Sequence, residues 1–190
     1  MGYTHKTAHT RQILMGSLLT NLKTKAFTDV TVNDIVTPLY LDRSTFYRYF
    51  DDKYDLLTAI EDEVLSQMTA LNGDLPHFEM LNNEMLETVA GFFQQQAPTL
   101  AVLLGEHGTP TFEHKLKQNM IDRFHQVFVP VSRTNPEINI MSDLLITMVV
   151  HAFKTWVLQP QAMSMTETLT VLRTVIDEGL VPTIQRYESD

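Results

Sequence analysis

Cysteine is absent from the chain's 190 residues, so disulfides and thiolate metal sites are excluded outright, in keeping with a reducing compartment. The seven glycines form no phosphate-cradling loop, and neither GxSxG nor HExxH occurs. No motif for nucleophilic or metal-assisted catalysis is present, and an enzyme is not expected. No N-terminal stretch joins a basic start to an apolar run and a small-residue cleavage site, so a cytoplasmic location is expected. Nor is any apolar stretch expected to reach the ~20 residues of a membrane helix. The longest, Met141 to Leu158, is interrupted by Asp143, His151 and Lys154.

Positive charge is also scarce. Fourteen Lys and Arg face 23 Asp and Glu, a net charge of −9 that at first argues against nucleic acid. The distribution reverses that reading. Residues 1–50 hold six bases (Lys6, Arg11, Lys23, Lys25, Arg43, Arg48) against three acids (Asp29, Asp34, Asp42), a balance of +3. Fourteen less six and 23 less three leave eight against twenty in the remainder, a balance of −12. A basic head on an acidic body draws phosphates to one end of the molecule.

What the chain does have is concentrated between Thr31 and Lys53, a stretch that reads as two short helices and a tight turn. Thr31 is a hydroxyl N-cap, and Asp34 stands three residues on, where a capping acid reaches back. Pro38 ends or bends the first helix. Asp42 is a second N-cap candidate, opening a helix from Arg43 to Phe50. Phe46 and Phe50, four residues apart, share an inward face. Arg43, Ser44, Tyr47 and Arg48 form a strip of donors and planar groups on the other side. Arginine grips guanine edges in bidentate fashion, and hydroxyls and tyrosine hold phosphates, so the strip suits a DNA major groove.

The run DRSTFYRYFDDKYDLL resembles the recognition helix and following helix start of the TetR/AcrR family of bacterial transcriptional regulators. Asp42, Thr45, Phe46, Tyr47, Tyr49, Phe50 and Lys53 carry the pattern, with Leu56 and Leu57 beyond. TRQILMGSLLTNLKTKAFTDVTVNDIV resembles the family's first helix and the start of its second. The resemblance implies Thr31 and Asn33 as DNA contacts at the second helix. It implies Arg43, Ser44 and Arg48 on base edges, and Thr45, Tyr47, Tyr49 and Lys53 on phosphates. Two departures are plain: the family's turn usually carries Ala-Gly where this chain has Leu39-Tyr40, and Pro38 is unusual in that helix. Either Tyr40 takes a left-handed conformation that glycine adopts freely, or the turn is built differently.

Elsewhere the sequence predicts helices throughout. Residues 1–7 read as a loose arm, whose His5 and Lys6, with His9 and Arg11 beyond, could reach DNA. Helices are expected near 7–25, 52–71, 77–96, 98–105, 110–132, 137–158 and 166–187, with breaks at Asn72-Gly73, Pro98, Gly105–Pro110, Ser132–Pro136 and Gln159–Ser164. The last two have apolar stripes wider than one chain's core requires. The resemblance implies that they form a four-helix interface with a second copy. It also implies a small-molecule pocket, for which Phe92, Phe93, Phe124, Phe128, Met148, His151 and Trp156 are the aromatic, thioether and imidazole candidates. His107, His114, Asp122 and His125 lack a convergent second pair and read as no metal site. No cofactor is expected.

The fold class expected is all-α, with a helix-turn-helix DNA-binding head over residues 1–55 and a helical ligand-binding and dimerisation body over 56–190. The function implied is a TetR-like repressor, a homodimer on a palindromic operator of double-stranded DNA, released by a small-molecule effector and having no membrane partner. The alternative is a helical interaction or ligand-sequestering protein whose head no longer binds DNA.

Overall fold

Every regular element in the computed structural model, which describes residues 2–70, 83–128 and 136–179, is helical. Among those residues lie α1 (Gly2–Asn21), α2 (Val32–Val36), α3 (Arg43–Phe46), α4 (Lys53–Ala70), α5 (Asn83–Leu103), α6 (Pro110–Phe128), α7 (Pro136–Leu158) and α8 (Met165–Glu178). Single 3₁₀ turns occupy Phe27–Asp29 and Thr37–Leu39. Packing divides the chain into two compact units, Met1–Gln67 with Val102–Glu113, and Met68–Ala101 with His114–Asp190.

The first unit is built on α1. Leu14, Leu18 and Leu22 recur every four residues and are buried, so one stripe of α1 faces inward. Ile35 of α2, Phe46 of α3, Phe50 and Leu56 complete the apolar centre. Phe27 plugs the corner before α2, with its ring edge-on to Tyr54 at 5.1 Å between centroids. The segment Val102–Glu113 joins this unit, where the Thr109 hydroxyl donates to the buried Glu61 carboxylate at 3.2 Å. The turn at Gly108 requires glycine, since a Cβ there would collide with the Leu103 carbonyl.

In the second unit Phe93 stacks on Phe153, with centroids 4.6 Å apart and planes 16° from parallel, and Phe92 meets Phe93 edge-on. Val89, Leu100, Leu116, Ile146 and Val150 are buried there too. Ser164 and Glu167 form a reciprocal capping box at the start of α8. That hydrogen bonding, from the Ser164 side chain first and its backbone second, holds the Glu167 carboxyl below its ordinary range.

Several expectations need correction. Helix α1 begins at Gly2, not Thr7, since nothing from Tyr3 to Ala8 interrupts a helix. Pro98 does not break the chain: α5 runs through it to Leu103. The proline leaves the Gln94 carbonyl without its helical partner, but both residues are exposed, so water can take the bond. Asn139–Leu158 of α7 is long and apolar enough, by composition, to cross a membrane. Yet two of its polar positions are engaged by α6, with Lys117 Nζ 2.8 Å from Asp143 Oδ1 and His125 Nε2 3.2 Å from Ser142 Oγ. That is how a helix packed within protein behaves. The predicted stops at Asn72-Gly73 and over Ser132–Asn135 lie outside the described residues.

Candidate nucleic-acid interface

Five residues are too few for an isolated helix to persist, so α2 depends on what holds its ends. At the N-terminus the Thr31 hydroxyl accepts from Asp34 N–H at 3.2 Å, and Asp34 Oδ2 accepts from Thr31 N–H at 2.7 Å. The same carboxylate oxygen receives the Thr31 hydroxyl at 2.7 Å and the Lys25 ammonium at 2.8 Å. The Lys25 hydrogen bond foremost, then those from Thr31, hold the Asp34 carboxyl far below the usual carboxylate range. At the other end, Ser17 Oγ donates to the Ile35 carbonyl at 2.7 Å and Asn21 Nδ2 to the Asp34 carbonyl at 3.2 Å. These satisfy carbonyls that so short a helix leaves open. Ser17, Asn21 and Lys25 are the supporting residues that sequence reasoning passed over. Their signal was a polar residue every four positions along α1 and the turn that follows it, beside the leucine stripe.

The turn that follows resolves the open choice at position 40. Tyr40 has φ 54° and ψ 36°, the left-handed conformation. Leu41 N–H donates to Val36 C=O at 3.1 Å and Tyr40 N–H to Thr37 C=O at 3.1 Å. This pair of backbone bonds is the Schellman closure normally built on glycine. A β-carbon in that conformation costs roughly 1–2 kcal/mol, and the Tyr40 side chain, 99% exposed, gains little by packing.

Helix α3 then presents the strip. Asp42 occupies the N-cap position with extended backbone, though its carboxylate makes no capping bond. The helix is four residues long and continues as tight turns to Phe50, shorter than the predicted Arg43–Phe50 helix. Phe46 is 0% exposed and Phe50 is buried beside it. Arg43, Ser44, Tyr47 and Arg48 all face outward, Thr45 and Tyr49 are half-buried, and Thr31 and Asn33 are exposed at the start of α2. Arg43 Nη2 donates to Tyr47 Oη at 3.2 Å, its guanidinium 5.8 Å from the ring centre. Arg48 Nη2 donates to Thr45 Oγ1 at 3.1 Å. Both arginines are thereby steadied by neighbours one helical turn away. Arg11, from α1, stacks its guanidinium over the Phe50 ring at 4.6 Å. The geometry presents cations and hydroxyls from one rigid corner, a set that suits phosphates and base edges.

Lys53 is arranged differently. Its ammonium donates to the carbonyls of Phe27, Thr28 and Val30 at 2.9, 2.8 and 2.8 Å. All three N–H bonds are thus engaged within the protein, and a phosphate would have to compete with them.

The effector candidates in the second unit do not converge. Phe92 is buried in the core, Phe124 and Met148 are half-buried, and the side chain of Phe128 lies outside the described residues. His151 and Trp156 share a surface depression of about 280 Å³ between α7 and α8 with Thr155, Gln159, Met163, Thr168 and Val171. Ile140, Met141 and Leu144 continue the exposed face of α7. Among the described residues no group of three His, Asp or Glu is placed to hold a metal ion.

No protein-family model matches the chain, and no curated protein matches it. Among solved structures, it is similar to a TetR transcriptional regulator from Streptococcus agalactiae, with a TM-score of 0.67 at 20% identity. The match covers 91% of this chain and 96% of that one. At that identity the likeness speaks for the fold, and the chain has the all-helical, helix-turn-helix fold of a TetR transcriptional regulator.

Proposed function

We propose that this protein is a TetR-like transcriptional regulator of the cytoplasm, a repressor that binds a palindromic operator as a homodimer. The carrying observation is the outward strip of Arg43, Ser44, Tyr47 and Arg48 on a helix whose other side, Phe46 and Phe50, is sealed in the core. Arg43, Ser44 and Arg48 read base edges in the major groove. Thr45, Tyr47 and Tyr49, with Thr31 and Asn33 from α2, fix register on phosphates. A single corner this small makes few base contacts, and a two-fold partner supplies the second half-site. The exposed apolar face of α7, with Ile140, Met141 and Leu144, and the depression beside it receive the second copy. Release by a small apolar effector bound in the second unit completes the reading.

Selection of duplexes from a random pool with the purified full chain tests this directly. An inverted repeat should emerge, bound with an affinity that falls steeply as salt rises. A chain that enriches no sequence and retains no duplex even at low salt is instead the helical interaction protein.

A further inference from the structure

We propose that Lys53 positions the DNA-reading corner from within and does not itself touch DNA. The functional half of this proposal rests on the reading above; the clamp it describes stands on geometry alone. An ammonium has three donors and no acceptor, and here all three are directed at carbonyls of one short segment. Those carbonyls, of Phe27, Thr28 and Val30, belong to the 3₁₀ turn Phe27–Asp29 and the residue capping it. Of these the Phe27 carbonyl also accepts the Val30 N–H, at 3.3 Å, and the lysine adds a charge-assisted bond to each of the three. The cation also lies 4.9 Å from the Phe27 ring centre and 5.6 Å from that of Tyr54, rings that pack edge-to-face. Both aromatic faces favour a cation held there.

The clamp has a direction. Val30 immediately precedes Thr31, the N-cap of α2, so Lys53 ties the residue before that cap to the first turn of α4. Where the N-terminus of α2 points, and hence where Thr31 and Asn33 are offered, depends on that tie. A lysine engaged at the surface by phosphate would need its ammonium turned outward. This one is half-buried and turned toward the chain.

The test uses the full chain, first unaltered. The ¹⁵N resonance of the Lys53 ammonium is followed as the selected inverted repeat, or a mixed-sequence duplex if none is selected, is added. A clamp predicts a signal in slow exchange with water that keeps its position. A coupling to phosphorus appearing with the duplex overturns the proposal. Lys53→Met should then speed amide exchange over Thr31–Val36 about tenfold while the rest of the chain keeps its protection. Its affinity for the duplex should fall about tenfold with the slope of log affinity against log salt unchanged. Lys53→Arg should recover only part of both, since a planar guanidinium cannot converge on three carbonyls as a compact ammonium does. A slope flattened by about one with unaltered exchange marks a direct phosphate contact and overturns the proposal. If the unaltered chain binds no duplex, the exchange data still decide: acceleration upholds the clamp while the DNA reading falls, and unchanged exchange removes the clamp. Should Lys53→Met fail to fold, Lys53→Arg and the ammonium resonance carry the same decision.

Discussion

Helices α3 and α7 both leave one side uncovered, and the two sides are chemically opposite. On α3 the aromatic Phe46 is sealed in, while guanidinium, hydroxyl and phenol groups face water. On α7, Phe153 and Val150 are sealed in, yet Met141 and Leu144, 67% and 64% exposed, face water as well. A polar exposed side is what an isolated surface helix has anyway, so on α3 the informative feature is which polar groups stand there. An apolar exposed side is unfavourable in isolation, so on α7 the exposure itself is informative. The first surface suits a charged partner read by hydrogen bonds, the second a protein face that removes it from water.

The sharpest way to break that comparison is to empty the sealed sides. Phe46→Ala should cost about 3–5 kcal/mol and Phe93→Ala a similar amount, each with the character of a core truncation. Urea titration followed by residue-resolved amide exchange should show each loss centred on its own unit. A Phe46→Ala chain with an unchanged midpoint would contradict the packing described for α3. Next come the exposed apolar residues. Burial of a leucine or methionine is worth roughly 1.5–3 kcal/mol, and a two-fold interface counts each residue twice. Met141→Glu with Leu144→Glu should therefore give a folded monomer by light scattering. A mass still equal to two chains would move the interface to another surface.

Arg43→Ala should leave the melting temperature nearly untouched but weaken operator binding by about 1–3 kcal/mol and relax one operator position. Equal losses on operator and random duplexes would remove Arg43 from base reading. Acid sharpens the comparison further. The folded Asp34 carboxyl titrates below its unfolded value, so its contribution is complete above the ordinary carboxylate range, about pH 4. It is lost as pH falls through the folded value. Asp34→Asn should be less stable than the unaltered chain at neutral pH, and the two unfolding curves should converge in acid. Curves that stay parallel across that range would show the carboxylate's charge to be irrelevant. The smallest effect belongs to Tyr40→Gly. Relief of the left-handed backbone, roughly 1–2 kcal/mol, is partly offset by glycine's greater freedom when unfolded, leaving a gain under about 1 kcal/mol in thermal unfolding.

Much of the first unit was legible because its signals are local. The Thr31–Asp34 box spans four residues, the Phe46–Phe50 pair five, and the leucines of α1 repeat every four. The partnerships that escaped notice act over longer separations. Ser17 serves a carbonyl 18 residues on, and Lys53 serves three carbonyls 23 to 26 residues back. No spacing rule announces such a partner. Pro98 misled for the opposite reason, since a local rule that usually ends helices gave way where the freed carbonyl could be solvated. In the second unit, broad apolar stripes foretold helices α7 and α8 but not which aromatic would be core and which would line a surface. Phe92 and Trp156 look alike in the sequence and are separated only by packing.

The corner between α2 and α3 takes its shape from two main-chain bonds, and the side chain at position 40 projects almost wholly into solvent. Its architecture is therefore written in amides and carbonyls that every residue but proline possesses. A lineage can drift away from glycine there, at modest expense, and still turn the same corner. For the experimenter, the same site is a natural place to hang a fluorophore or spin label a few residues ahead of the exposed Arg43 and Arg48.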